Sequence, residues 1–286
     1  MAKPTQHPIQ QKHIHGINYA YIEKGEGPLV LMIHGFPDDA NAFDDSLNRL
    51  ADAGYRAVAP FMRGYAPTDL APDDTYSVKA IAEDMLQLMT ELGAESAYVV
   101  GHDWGASVAY TIANIAPERV IKLMTLAIPH PRVIKPSLKL LRRASHFLVF
   151  RFFKFALWYT RRNNFAYIDR IYRKWAPTWD IPAQQVEKMK TAYAQPGRLE
   201  AAIGFYRDFF KDQGTPTAKL YVQKTSVPTL VIAGAQDGAI VLEQFEQMDR
   251  AFTGPFRWVL FENAGHFPHT EQPERFWEEL IGFLQE

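Results

Sequence analysis

Gly101-His102-Asp103-Trp104-Gly105 stands between two segments of opposite character. Before it, Ser96-Ala97-Tyr98-Val99-Val100 is a short apolar run with β-branched and aromatic members and reads as a buried strand; after it, Ala106 to Ile115 reads as a helix. Two glycines flanking one reactive residue at a strand-to-helix turn fit a tight, strained elbow that lifts the central side chain above the carboxyl edge of a parallel sheet. Here that residue is Asp103. A carboxylate that attacks an acyl carbon gives a reactive anhydride, whereas one that attacks a saturated carbon bearing a leaving group gives an ordinary ester. The motif therefore points to alkyl transfer onto Asp103 and hydrolysis of the ester that results. A G-x-D-x-G pattern also arises by chance in loops, so its partners elsewhere in the chain decide the reading.

Outward from the elbow, strands and helices alternate. His15 to Glu23 reads as an opening strand, Leu29 to Ile33 as a strand covered on both faces, and Tyr55 to Pro60 as another. Asp38 or Asp39 caps a helix that begins near Ala40. Ser77 to Leu92 is helical by the recurrence of Ile81, Met85, Leu88 and Leu92, with Gly93 closing it. Downstream, Val120 to Ile128 gives one more strand, after which the alternation stops. From Pro131 to about Thr217 the chain reads as helices only, broken by prolines. Alternation returns with a strand at Pro228 to Gly234, a helix from about Leu242, a strand at Phe256 to Phe261 and a last helix from about Gln272. This pattern implies an α/β fold with a mostly parallel sheet and helices on both faces. The expected division is a core of residues 1–130 and 218–286, with a helical cap, 131–217, inserted after the sixth strand.

Composition narrows the class. Lys and Arg total 31 against 32 Asp and Glu, so no nucleic-acid footprint is expected. With no cysteine, disulfides and thiolate metal sites are excluded. Met1 to Gln11 is polar, and no run is long and apolar enough for a membrane span; a cytoplasmic protein is expected, monomer or homodimer.

In an elbow fold the nucleophile is followed in chain order by an acid past a later strand and by a histidine near the end. Asp237, in Ala233-Gly234-Ala235-Gln236-Asp237, and His266, in Gly265-His266-Phe267-Pro268, occupy those places. The oxyanion hole takes one backbone N–H from the residue after the nucleophile, Trp104, and one from the loop after the third strand, Phe36.

With these residues in hand, the chain resembles the epoxide hydrolase branch of the α/β-hydrolase superfamily over nearly its whole length. The resemblance rests on His34-Gly35-Phe36-Pro37, Arg63-Gly64-Tyr65 with Asp69, the elbow, Asp237, and Gly265-His266-Phe267-Pro268 with Glu271-Gln272-Pro273-Glu274. It implies an eight-stranded sheet and two cap groups, usually tyrosines, that donate to the epoxide oxygen. Phe205-Tyr206-Arg207-Asp208 matches the second. At the first, where the family usually shows a Trp-Tyr pair, this chain has Ser145-His146-Phe147. One register places Phe147 at the tyrosine position and leaves a single phenol; a shift by one places His146 there, with Tyr159 and Tyr167 as further candidates. His34, Pro37, Phe147 and Tyr159 are the expected substrate contacts. The implied reaction joins a small apolar epoxide and water to give a vicinal diol, with no metal or organic cofactor.

Two other readings share these residues. A haloalkane dehalogenase has the same elbow, acid and histidine, and would need a second halide donor beside Trp104, for which Trp158 is the candidate. A non-catalytic ligand-binding protein would keep the fold without turnover. The segment from Arg132 to Asp180 carries 12 Lys or Arg and only 2 acidic residues, and contains His146-Phe-Leu-Val-Phe-Arg-Phe-Phe-Lys-Phe-Ala-Leu-Trp-Tyr159. The preferred reading is a cap packed on an acidic core, its aromatic helices lining a pocket and its charges solvated. The alternative is a basic outer face suited to an anionic membrane surface or acidic substrates.

Overall fold

In the computed structural model, which describes residues 8–286, a single eight-stranded sheet runs in the order β1-β2-β4-β3-β5-β6-β7-β8. The strands are β1 (Ile9–Ile14), β2 (Ile17–Lys24), β3 (Leu29–Ile33), β4 (Arg56–Pro60), β5 (Ala97–His102), β6 (Val120–Leu126), β7 (Thr229–Gly234) and β8 (Phe256–Phe261). From β4 to β8 every pairing is parallel; β1 with β2 and β2 with β4 are antiparallel. Every residue of β3 and β7 is buried, as continuous apolar runs require of strands covered on both faces.

The opening of the chain departs from the expected single strand at His15 to Glu23. His15 and Gly16 both take positive φ, 48° and 79°, and turn the chain between β1 and β2. The strand β1 escaped the sequence pattern because it is an edge strand, its residues mostly exposed and polar. The reading of Met1 to Gln11 falls partly on residues 1–7, which lie outside the described residues.

Helices α1 (Asp44–Asp52), α2 (Val78–Glu91) and α3 (Trp104–Ile115) follow β3, β4 and β5. The periodic residues Ile81, Met85 and Leu88 of α2 are fully buried, and its cap is the Ser77 hydroxyl, which accepts the Ala80 N–H. Ahead of α1 a short 3₁₀ turn (Ala40–Phe43) is capped by Asp39, whose carboxylate accepts the Asn41 N–H at 3.0 Å. Asp38, the other candidate cap, is buried instead beneath the inserted helices.

Between β6 and β7 the chain is helical: α4 (Leu138–Arg143), α5 (Ser145–Arg151), α6 (Phe153–Trp175), α7 (Ala183–Ala194), α8 (Arg198–Asp212) and α9 (Pro216–Tyr221). Helix α6 breaks at Arg162–Phe165, where three consecutive residues have positive φ. A cap ending at 217 would cut α9 in two; the helical block runs on to Tyr221, because Pro216 sits in the first turn of a helix and does not break one.

The block is tied down by polar contacts to the sheet loops. The Tyr193 hydroxyl donates to the Pro37 carbonyl at 2.8 Å, Asp208 accepts the Tyr76 N–H at 2.7 Å, and Asp38 accepts from the Tyr172 hydroxyl and from Gln185 Nε2. Burial pushes the Asp38 carboxyl up to about 6 against the pull of those two donors. Arg63 has a purpose the sequence did not disclose: its guanidinium forms a bidentate pair with the buried Asp84, at 2.6 and 2.8 Å, and stitches the loop after β4 to α2. The helix expected from about Leu242 is absent. Two 3₁₀ turns, Leu242–Gln244 and Met248–Ala251, stand there, and α10 (Pro268–Glu271) and α11 (Pro273–Gln285) follow β8.

Candidate active site

The elbow is built by close approach. Asp103 has φ 52° and ψ −119°, a positive-φ conformation that a non-glycine residue holds only when its surroundings fix it. A Cβ on Gly101 would lie 2.3 Å from the Gly105 carbonyl oxygen, and one on Gly105 would lie 2.0 Å from that of Ile33. The two glycines therefore let α3 start directly against the ends of β3 and β5, with Asp103 at the crest.

Each Asp103 oxygen has its own partner. The Phe36 N–H donates to Oδ1 at 2.8 Å, and His266 Nε2 lies 3.2 Å from Oδ2. The Trp104 N–H is a further donor to this carboxylate. Burial opposes the charge, yet His266 and these N–H groups more than offset it and hold the Asp103 carboxyl below its ordinary range. His266 Nδ1 donates to Asp237 Oδ2 at 2.8 Å, while the other oxygen of Asp237 accepts the N–H groups of Ala239 and Ile240 at 2.6 and 3.1 Å. Desolvation pulls the imidazole down, but carboxylates on both its nitrogens raise it above the ordinary histidine value. His266 thus sits between two carboxylates, both of which favour its protonated form.

The histidine loop is held by residues that sequence reasoning missed. The Trp175 carbonyl, at the end of α6, accepts the N–H of both His266, at 3.0 Å, and Gly238, at 3.1 Å, so one cap residue fixes the base and the loop of its acid together. His102 Nε2 donates to the His266 carbonyl at 2.7 Å, and burial drives His102 down to about 3, keeping it neutral. Glu271 accepts from the N–H groups on either side, Gly265 at 2.8 Å and Phe267 at 2.9 Å. His102 belongs to the elbow motif and Glu271 to the one after β8, but a polar residue inside a motif carries no mark of what it holds.

Beneath the helical block lies a mainly apolar cavity of about 630 Å³, lined among others by Asp103, Trp104, His146, Phe147, Tyr206 and His266. Among the described residues the Tyr206 hydroxyl, His146 Nδ1 and Trp104 Nε1 are buried without a well-formed hydrogen bond, the hydroxyl and the indole N–H lying close to one another. Burial raises the Tyr206 phenol well above its ordinary value, and the nearby Asp103 charge adds to that. Burial pushes His146 down to about 3. The Tyr206 and His146 rings stand 5.8 Å apart, nearly perpendicular, so helices α5 and α8 bring both candidates to one side of the cavity. Phe147 lines the same wall, 5.1 Å from Tyr206.

Four expected contacts fall elsewhere. His34 is buried, its Nε2 accepting the Met62 N–H at 3.0 Å and its Nδ1 paired with the Gly35 carbonyl, so its polar atoms are spent on the loop. Pro37 offers its carbonyl to Tyr193 and does not line the cavity. Tyr159 is half-buried, stacked on Phe155 and packed against Tyr167, and does not line the cavity. Trp158, the candidate second halide donor, is 55% exposed and lies under the Arg162 guanidinium. No group of three or more metal-ligating side chains occurs among the described residues.

Residues 28–273 match the family described as the alpha/beta hydrolase fold, and the chain belongs to that family. Among curated relatives, it is 29% identical over 274 residues to the AB hydrolase superfamily protein YfhM of Bacillus subtilis (strain 168), covering 94% of both chains. To Epoxide hydrolase A of Mycobacterium tuberculosis it is 27% identical over 323 residues, covering 99% of this chain and 98% of that one. The crystal structure of epoxide hydrolase VrEH1 from Vigna radiata superposes with a TM-score of 0.85 at 24% identity, covering 99% of each chain, and shares the fold. The branch of the superfamily that the motifs suggested is the branch to which these named epoxide hydrolases belong.

Proposed function

We propose that this protein hydrolyses an epoxide to a vicinal diol through a covalent ester on Asp103. The observation that carries this reading is the orientation of the Asp103 carboxylate. Oδ1 is held by the Phe36 N–H while Oδ2 is turned toward His266, with the Trp104 N–H a further donor to the carboxylate, and this leaves Oδ2 to attack on the His266 side. Oδ2 bonds to an epoxide carbon, the carbon–oxygen bond of the ring breaks, and the departing oxygen takes its proton from Tyr206, with His146 as a second, neutral donor. The raised phenol is suited to this, because it stays protonated until an alkoxide develops.

Esterification removes the negative charge of Asp103, one of the two carboxylates that held the His266 proton. Its affinity for that proton falls, and the proton replaces the one taken from the phenol. Neutral His266, still oriented by Asp237, then draws a proton from water as the water oxygen bonds to the ester carbon. The charge that develops collects on Oδ1, already against the Phe36 N–H and with the Trp104 N–H as the second donor to the group, a type of contact worth roughly 100- to 1000-fold in rate. Collapse breaks the bond from the ester carbon to Oδ2; the leaving oxygen takes its proton from the His266 imidazolium, the new carboxylic acid of Asp103 returns its own to His266, and the diol is released.

Diol formation from a panel of terminal, trans-disubstituted and fatty epoxides tests the reading, with halide release from short haloalkanes as the contrast. Diol without halide is expected, because the Phe36 side chain has no donor and Trp158 is outside the cavity. Tyr206→Phe should slow ring opening by about 100-fold, measured as the single-turnover alkylation rate, and His146→Phe should slow it less. Since His146 stays neutral far above its value of about 3, ring opening in wild type should show no inflection near the ordinary histidine value. An unchanged rate in Tyr206→Phe would remove that residue from the reaction.

A further inference from the structure

Exposed apolar side chains gather on the outer face of the cap. Of the 11 large hydrophobic residues exposed among the described residues, seven lie between Ile134 and Trp158: Ile134, Leu138, Leu141, Leu148, Phe152, Phe155 and Trp158. Leu138 is 77% exposed and Phe152 64%, and such a cluster of exposed apolar side chains in one short segment is characteristic of an interaction surface. Of the seven only Ile134 lines the cavity; the aromatic run of the cap gives His146 and Phe147 to the cavity wall and leaves Leu148, Phe152, Phe155 and Trp158 exposed.

The same 25 residues, 134–158, contain six Lys or Arg and no Asp or Glu. The facing segment after β7 neutralises one of these charges, Lys139 paired with Glu243, and binds two others through uncharged groups: Lys135 Nζ donates to Gln247 and Arg143 to the Asp237 carbonyl. Arg142, Arg151 and Lys154 have no acidic partner among the described residues. Further along α6, Lys154, Arg161 and Arg162 surround Leu157 and Trp158 in an open groove, with Arg161 paired to Glu200 and Arg162 laid over the indole.

We propose that this face, α4, α5 and the first half of α6, docks on an anionic phospholipid surface. Large apolar side chains interleaved with cations suit an interface in which acyl chains take the former and phosphates the latter. A second copy of the chain would bring like charges together across the same face, and the described residues of the patch offer no carboxylate to compensate. Ile134 belongs both to this face and to the cavity lining, so docking would set the cavity mouth beside the lipid. That last step, delivery of an apolar substrate from the bilayer, rests on the function proposed above; docking itself does not.

The test is flotation of the full chain with phosphatidylcholine vesicles, with and without phosphatidylglycerol. Binding is expected only to the anionic vesicles, with a blue shift of tryptophan emission and loss of binding at high salt. The variant Phe152→Ser/Phe155→Ser/Trp158→Ser and the variant Arg142→Glu/Arg151→Glu/Lys154→Glu should each weaken binding at least about tenfold. Both should keep wild-type turnover of a water-soluble epoxide, so a failure of docking and a failure of the enzymatic reading are separable. Absence of binding at millimolar anionic lipid would overturn the proposal. So would a stable dimer in sedimentation velocity that either triple variant converts to monomer.

Discussion

Asp103→Ala is expected to lose at least about 10⁴-fold in turnover, since residues that act as one unit fail together when the nucleophile is removed. The loss should be chemical and not structural. The elbow is set by the close approaches at Gly101 and Gly105, which the substitution leaves alone, and the neighbouring strand β3 is fully buried. Circular dichroism and thermal unfolding of the variant serve as the control. Asp103→Asn keeps the size and the Phe36 contact, and should begin nearly inactive. Slow recovery on standing would mean that the site hydrolyses the amide back to the acid. Full activity in Asp103→Ala would contradict the mechanism.

His266→Gln should separate the two steps. Alkylation of Asp103 needs an ionised carboxylate and a donor to the epoxide oxygen, and neither is His266; breakdown of the ester needs a base. Turnover is expected to fall at least about 10³-fold, with an adduct of the substrate's mass on the intact protein. The adduct should map to the peptide that contains Asp103. Normal turnover with no adduct would remove His266 from the role assigned to it.

The elbow, the acid and the histidine were legible in sequence because their chemistry is tied to chain order: a strand must end, a tight turn must follow, and only certain residues fit there. Asp103 is far along the chain from both Asp237 and His266, yet the histidine lies within 3.2 Å of each carboxylate because parallel strands deliver all three loops to one edge. The sheet was legible for the same reason wherever strands are buried runs. It was not legible at β1, a polar edge strand, nor after β7, where a helical pattern from Leu242 resolves into two 3₁₀ turns.

The cap was the least readable part. Tyr159 and Trp158 stand outside the cavity lining, and α6 breaks at Arg162–Phe165, which no periodicity announces. The support of His266 by the Trp175 carbonyl was invisible as well, since a backbone contact leaves no side-chain signature. At Ser145-His146-Phe147 the chain alone allowed two registers. Helix α5 turns both His146 and Phe147 toward the same cavity, where of the two only His146 can donate a hydrogen bond.

A single turnover in ¹⁸O-labelled water, with enzyme in excess over epoxide, tests the covalent ester most directly. If Oδ2 of Asp103 attacks the epoxide and water then attacks the ester carbon, the first diol released carries unlabelled oxygen from the carboxylate. The label appears in the Asp103 peptide. If water attacks the epoxide directly, the diol is labelled in the first turnover and the Asp103 peptide is not, and no ester on Asp103 lies on the reaction path.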